Sequence, residues 1–372
     1  MMRICFLSDF RSIHTLRWLK FFVPKHEVHL VSLEKPSGDG RMLSPEEYTK
    51  IGIRIHLVNG QRARRVLVPF EVRRTIKQIQ PDIIHCHYIS HYGFLGAFSG
   101  FRPSVMTAWG TDVLIEPDES TVKRFQVKYA LKRADIVTCD GENTVAKLVA
   151  LGVPPEKVQR IYFGVDTARA SPDKRDPQVF AKFKKTADSP VIIDIRGFTP
   201  VYDPATFIKA AVKVLKERPD ALFVMAREGD ERKQFEDLVA TLGIKGNLAF
   251  IGNIPADKIP VYLASTDIYV STSLSDSGIA ASTAEAMACG AAVISTRVGD
   301  IDIWIHDGVN GFVIEKSDTD ALADKINALL VDEQLRRSIG IKARESMLER
   351  QDYNKEMGKV ESLYEKLIGG KK

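Results

Sequence analysis

No uninterrupted apolar run in the 372 residues approaches the roughly 18 that a bilayer-spanning helix requires, so a helical membrane protein is not expected. Cysteine is scarce. Cys5, Cys86, Cys139 and Cys289 stand far apart with no C-x-x-C spacing, which argues against a disulfide framework or a thiolate zinc site and for buried, reduced thiols. There is no Gly-X-Y period, no sustained heptad, no internal repeat and no low-complexity tract, so collagenous, coiled-coil and disordered classes fall away. A signal-peptide core is missing too, because Asp9 and Arg11 follow the short apolar stretch Ile4–Leu7. The expectation is therefore a cytoplasmic chain.

What is present is ordinary globular composition, 44% hydrophobic and 27% charged. At roughly 150 residues per domain, that length calls for two cores. The charge of +5 is unevenly spread. Residues 1–170 hold 25 Lys and Arg against 17 Asp and Glu, whereas the remainder holds 28 against 31. A basic first half suggests that it meets something anionic.

Strand-like apolar runs alternate with helical patterns along the whole chain. In the first half the runs are Ile4–Ser8, Val28–Leu33, Arg54–Val58, Asp82–Tyr88, Ser104–Ala108, Ile136–Cys139 and Val158–Phe163. In the second they are Val191–Ile195, Ala221–Ala226, Leu248–Gly252, Asp267–Thr272, Ala292–Thr296 and Gly311–Ile314. Most lack in/out alternation, as befits strands covered on both faces. Helical patterns lie between them. One is Val122–Ala134, with Val122, Phe125, Tyr129 and Leu131 as its apolar positions, and another is Glu142–Leu151. Asp203-Pro204 reads as an N-cap followed by Pro at N1, opening a helix that runs to about Arg218. The proline- and charge-rich stretch 167–190 reads as a linker, and 319–369 as a helical tail. The fold class is α/β: two doubly wound, Rossmann-like domains, residues 1–170 and 171–352, with a C-terminal helix of about 353–372 packing back on the first. A ligand is expected in the cleft between the C-terminal ends of the two sheets.

The segment richest in chemistry is 271–296, STSLSDSGIAASTAEAMACGAAVIST. A strand ends at Thr272, and a small-residue helix is expected over Gly278–Cys289, stopped by Gly290. Small side chains let a ligand approach its backbone, and its N-terminal N–H groups favour an anion. Glu285 is placed to accept hydrogen bonds from a ribose hydroxyl pair. Asp276 and Ser277 stand at the helix mouth, either as functional groups or as loop caps.

This segment resembles the donor-binding signature of the family 4 retaining glycosyltransferases, enzymes of the two-domain GT-B fold. Their Glu-x7-Glu pattern runs into an E-A-M-A-C-G helix. Here Glu285 matches the second Glu, and Ser277 stands where the first would be, next to Asp276. Other segments resemble the family in the same order along the chain: Pro81–Tyr88 (PDIIHCHY), Val105–Asp112 (VMTAWGTD), Phe163–Asp166 (FGVD), Leu248–Gly252 and Val298–Phe312.

The resemblance implies transfer of a sugar from a nucleotide-diphosphate sugar, a UDP- or GDP-sugar, to a hydroxyl of a glycan or lipid-linked glycan, with retention of configuration. No cofactor and no metal are implied. It assigns the donor to Arg196, Tyr202, Gly278, Ile279, Ala280 and Glu285. Arg196 matches the arginine of the family's G-R-x4-K element, and Tyr202 takes roughly the place of its lysine. His14, Asp276 and Ser277 fall near the reacting sugar, and Arg17, His87, Trp109 and Asp112 on the acceptor side. Trp109 replaces a family histidine and cannot shuttle a proton. His14 and Arg17 read equally as a cap and a surface charge, and His87 equally as core. With Ser277, Tyr202 and Trp109 departing from the motifs, a non-catalytic GT-B activator subunit or a nucleotide-sugar 2-epimerase are the alternative readings.

Two Asp-x-Asp strings, Asp300-Ile301-Asp302 and Asp318-Thr319-Asp320, sit at expected helix starts, where capping explains them better than metal binding. His85 and His87 share a strand face from which Cys86 points away, so no compact metal box forms there. The basic stretch Arg62, Arg64, Arg65, Arg73, Arg74 and Lys77, interleaved with apolar residues 66–70, suits either an anionic membrane surface or a solvated helix. A peripheral place on the inner face of a membrane is one expectation. No nucleic-acid module is present, so nucleic acid is not expected as a partner.

Overall fold

The computed structural model describes residues 1–34, 44–59, 66–162, 164–227, 231–350 and 353–370. Contacts divide the chain into two units, Met1–Tyr162 with Asn354–Lys372, and Phe163–Tyr353.

The first unit begins with β1 (Arg3–Leu7), α1 (Ile13–Phe22), β2 (Glu27–Glu34), α2 (Pro45–Lys50), β3 (Ile53–Asn59), α3 (Val68–Ile79) and β4 (Ile83–His87). It continues with α4 (Phe94–Ser99), β5 (Ser104–Thr107), α5 (Thr111–Leu114), α6 (Glu116–Glu119), α7 (Thr121–Arg133), β6 (Ile136–Cys139), α8 (Glu142–Ala150) and β7 (Val158–Arg160). Its described residues form a seven-stranded sheet in the order β3-β2-β1-β4-β5-β6-β7, with every pairing parallel.

The second unit comprises β8 (Val191–Asp194), α9 (Pro204–Glu217), β9 (Leu222–Ala226), α10 (Arg232–Thr241), β10 (Leu248–Gly252), α11 (Ile259–Ala264) and β11 (Ile268–Ser271). After these come α12 (Ala281–Ala288), β12 (Ala292–Thr296), α13 (Ile301–Trp304), β13 (Phe312–Ile314), α14 (Thr319–Val331) and α15 (Glu333–Arg350). Here the parallel order is β10-β9-β8-β11-β12-β13. A last helix, α16 (Tyr353–Gly369), belongs to the first unit.

Both sheets reverse their strand order once, between β1 and β4 and between β8 and β11. At such a switch point the connections leave in opposite directions, and a crevice opens beyond the strand ends. The strands are buried on both faces, which is why their sequences read as unbroken apolar runs. On β4, Ile84 and Cys86 face a core shared with α3, α4 and α7. His85 and His87 face the other way, toward Trp18 of α1 and Tyr364 of α16.

Three sequence expectations are corrected. The stretch 167–190, expected to link the domains, belongs to the second unit: Ala170, Ser171 and Phe180 are buried, two short 3-10 turns lie within it, and the boundary between the units falls earlier, after Tyr162. Its prolines and charges serve tight turns on a packed surface. On α7 the buried residues are Val127, Ala130 and Leu131, whereas Val122 and Phe125 are 63% and 62% exposed. The small-residue helix starts at Ala281, since Ser277–Ile279 form a bend.

Candidate active site

In the second unit the β8/β11 switch point gathers the residues singled out in the sequence. β8 ends at Asp194, whose carboxylate accepts the backbone N–H of Arg196 at 2.7 Å, an Asx-type turn that aims the arginine away from the strand. Arg196 Nε donates to Ser273 Oγ at 3.0 Å and its Nη2 to Asp276 Oδ1 at 2.6 Å. The Tyr202 ring lies 4.5 Å beneath the guanidinium, in cation–π contact. Burial alone would lower the arginine pKa, but Asp276 together with Tyr269, Tyr202 and Asp194 outweighs it and holds the pKa above its ordinary value.

The two loops that carry these groups are tied together. Thr272 Oγ1 donates to the carbonyls of Tyr202 and Asp203 at 2.8 and 3.0 Å, and Leu274 N–H donates to Val201 O at 2.8 Å. Asp203, in the left-handed region, caps α9 through Thr206, as its Asp-Pro sequence implied. From behind, Gly299 braces the Asp276–Gly278 bend. A Cβ on it would lie 2.5 Å from the carbonyl oxygens of Ser277 and Gly278 and 3.0 Å from that of Asp276. Its φ of +56° suits glycine as well.

Helix α12 begins just past this bend. Its N-cap residue, Ala280, has no side chain to cap the first-turn N–H groups, which leaves a dipole end suited to an anion. Gly278 and Ile279 are buried in the approach, as is Ser277, and Glu285 is half-buried at the fifth helical position. At the other end, Arg344 of α15 donates to the Ala288 carbonyl, placing a cation at the negative pole.

Sequence reasoning missed Asp194. Only 2% exposed, it keeps one oxygen, Oδ2, without a hydrogen-bond partner, and burial pushes its pKa up to about 7 against the pull of Arg196. An aspartate ending an otherwise apolar strand two residues before an arginine was the available signal. Ser273 and Gly299 left no sequence signal, because both act through loops distant in sequence.

In the first unit the β1/β4 switch point carries His14 and Arg17, one turn apart on α1 and both half-buried. The His14 and Trp109 rings are 5.1 Å apart, and Trp109 lies 5.4 Å from His87. His87 itself is core. It is 2% exposed among Phe6, Trp18 and His85, neither ring nitrogen has a hydrogen-bond partner, and burial pushes its pKa down to about 3. His85 is held by the Tyr364 hydroxyl and by Thr107 Oγ1. Asp112 does not face an acceptor either. Fully buried, it accepts the N–H groups of Ile89 and Trp109 at 2.6 and 2.9 Å and so ties the β4 and β5 loops together. Of the expected acceptor-side residues, Trp109 and Arg17 remain partly accessible, as does His14, which was expected near the reacting sugar.

Three carboxylates of the Asp-x-Asp strings are engaged locally. Asp302 pairs with Arg297, Asp318 caps α14 through Ala321 N–H at 2.9 Å, and Asp320 pairs with Lys213. Asp300 stands at the α13 N-cap position but makes no side-chain cap bond. No cluster of three His, Cys, Asp or Glu suited to a metal occurs among the described residues. Arg62, Arg64 and Arg65 of the basic stretch, and Phe163 of the FGVD turn, lie outside the described residues.

The solved structure of Anabaena Alr3699/HepE in complex with UDP and glucose is similar, with a TM-score of 0.83 at 20% identity over 98% of this chain and 99% of that one. Sucrose-phosphate synthase from Thermosynechococcus elongatus has a TM-score of 0.79 at 18% identity, with both chains fully covered. This likeness, with two Rossmann-like parallel-sheet units, gives the chain the GT-B fold. Residues 176–346 match the family model described as glycosyl transferases group 1, and residues 3–141 the one described as glycosyl transferase 4-like. N-acetyl-alpha-D-glucosaminyl L-malate synthase of Bacillus anthracis is 25% identical over 346 residues, 91% of this chain and 89% of that protein. GDP-mannose-dependent alpha-(1-6)-phosphatidylinositol monomannoside mannosyltransferase of Mycolicibacterium smegmatis is 25% identical over 220 residues, 57% of each protein. The chain belongs to the glycosyl transferases group 1 family and is a GT-B glycosyltransferase.

Proposed function

We propose that the protein moves a sugar from a UDP- or GDP-sugar to a hydroxyl of a glycan or lipid-linked glycan, with retention of configuration and without a metal. The observation that carries this reading is the Arg196 guanidinium at the β8/β11 switch point, fixed by Ser273, Asp276 and Tyr202 close to an uncapped helix N-terminus. A bidentate guanidinium and helix N–H groups together neutralise the diphosphate that leaves as the glycosidic bond breaks. Charge stabilisation of the leaving group is the main electrostatic work of such a site. Arg196 therefore takes the part that a divalent cation plays in metal-dependent transfer. Engagement of Asp302, Asp318 and Asp320 in a cap and ion pairs supports that assignment.

Gly278, Ile279 and Ala280 let the diphosphate approach the backbone, and Tyr202 packs the arginine where a second cation would otherwise stand. Glu285 holds the ribose. His14, Asp276 and Ser277 serve the transferred sugar, and Arg17 and Trp109 the acceptor. Among the relatives, the Anabaena protein was solved with UDP and glucose, and the mycobacterial mannosyltransferase is GDP-mannose-dependent, which supports a nucleotide-diphosphate sugar in either base. A thermal-shift panel of nucleotides and nucleotide sugars tests this. A donor present at 100 times its dissociation constant adds about 2.7 kcal/mol to the native state. A panel in which no nucleoside diphosphate or its sugar raises the melting temperature would defeat the reading.

A further inference from the structure

Among the described non-glycine residues with positive φ, Arg227 lies furthest from the left-handed basin, at +132°. Glycine takes such a conformation without penalty, whereas a residue with a Cβ is strained there and stays only where its surroundings hold it. Two hydrogen bonds hold Arg227. Its N–H donates to the Gly252 carbonyl at the end of β10 at 2.7 Å, and its Nε donates to the Ile195 carbonyl at 3.0 Å. The second bond carries the side chain from the end of β9 across the end of the neighbouring strand β8.

There it meets the turn that presents Arg196. A Cβ added to Gly197 would lie 3.8 Å from Arg227 Cγ and 3.6 Å from the Tyr202 ring, so the arginine stem and that ring flank the turn. Arg227 thus touches the chain on both sides of Arg196, at Ile195 and at Gly197. Its charge is felt in the same crevice. Burial raises the Asp194 pKa, and the charges of Arg196 and Arg227 both pull against it.

This crevice is short of positive charge for the ligand it is built to take. Arg196 is paired with Asp276 at 2.6 Å, and the two charges largely cancel. A nucleoside diphosphate brings negative charge on each phosphate, while the N-terminus of a helix such as α12 offers only about half a positive charge. In the loops that follow β8, β11 and β12 the other described cation is Arg297, which Asp302 and Glu315 hold. Lys258 and Lys316 follow the edge strands β10 and β13, away from the switch point. Arg227 is exposed, follows the strand beside β8 and reaches over it.

We propose that Arg227 is a second diphosphate-binding cation of the donor site, meeting the phosphates from the β9 side while Arg196 and the α12 N-terminus meet them from the β8 and β11 sides. The inference rests on the nucleotide-sugar reading above and deepens it, because it assigns donor binding to a residue outside the motif segments. It also accounts for the backbone strain. A residue that served only the turn could be glycine, and the guanidinium is what glycine lacks.

The test is calorimetric titration of UDP and GDP into the full chain and into Arg227→Gln, Arg227→Lys and Arg227→Gly, with uridine or guanosine measured by displacement of its diphosphate. Arg227→Gln should weaken the diphosphate that the wild type binds by about tenfold or more, the worth of a charge-assisted hydrogen bond. Arg227→Lys keeps the charge and should lose less. The nucleoside should keep its affinity for all three variants. Arg227→Gly removes guanidinium and strain together, so it should match Gln in lost affinity while its melting temperature is unchanged or higher. An Arg227→Gln variant that binds the diphosphate like the wild type, or that loses nucleoside and diphosphate alike, would overturn the inference and leave the nucleotide-sugar reading in place. A wild type that binds neither diphosphate would overturn both.

Discussion

Replacing Gly299 with Ala asks whether the bend at Asp276–Gly278 is held in place from behind. Two separate costs are built into this position. Its φ of +56° penalises any residue with a Cβ by about 1–2 kcal/mol. The new Cβ would also lie 2.5 Å from two carbonyl oxygens and 3.0 Å from a third, so the bend has to move. Overpacking of this kind costs about 1–3 kcal/mol, for a total of roughly 2–5 kcal/mol. Two other glycines separate the terms. Gly243 has φ +73° with open space around its Cβ direction, so Gly243→Ala should cost only the backbone term, about 1–2 kcal/mol. Gly246, with neither feature, should tolerate Ala within about 0.5 kcal/mol or gain slightly. Urea melts give the three stabilities, and calorimetry with a nucleotide sugar shows whether the bend has moved. Gly299→Ala alone should weaken donor binding, because displacing Asp276 disturbs the guanidinium it holds. If Gly299→Ala and Gly243→Ala match in both stability and affinity, the bracing argument is wrong.

Three further outcomes follow from the same geometry. Glu285→Ala should raise the dissociation constant of the nucleotide about tenfold or more, the worth of a charged hydrogen bond to ribose; calorimetry on the folded variant checks it. Asp276→Asn keeps the shape but removes the charge beside Arg196, and a transfer assay should show reduced turnover if Asp276 supplies what Ser277 cannot; undiminished turnover would refute that role. For Asp194, the native state keeps its proton up to about pH 7 while the unfolded chain loses it near pH 4. The native state thus binds more protons between those values, and this group's contribution to stability falls as pH rises through that window, by at most about 1.4 kcal/mol per unit. Asp194→Asn should therefore gain on the wild type from pH 4 to 7 and hold a constant advantage above it. Parallel stability curves for the two proteins would show that Asp194 ionises normally.

Much of this architecture could be read from residue patterns. Unbroken apolar runs marked the strands because parallel strands under helices are buried on both faces, as in β6 (Ile136–Cys139) and β12 (Ala292–Thr296), whose bounds coincide with the sequence expectation. The Asp203-Pro204 cap was equally legible, being local chemistry. Periodicity misled at α7, where two apolar stripes compete and only tertiary packing decides which is buried. It misled again at 167–190, where prolines and charges sit on turns that nevertheless cover Phe180. His87 and Asp112 were unreadable for another reason. A strand-end histidine or a loop aspartate looks the same whether it faces a substrate or a ring of aromatics, and only the packed fold shows both buried. Arg196 and Asp276 were each visible as candidates, but their pairing across 80 residues was not.

Calorimetric titration of UDP-glucose and GDP-mannose into the wild type and into Arg196→Ala tests the central claim most directly. One of the two donors should bind the wild type, and Arg196→Ala should weaken it at least tenfold, about 1.4 kcal/mol or more, while the protein stays folded. A folded Arg196→Ala variant that binds its donor as tightly as the wild type would contradict the account.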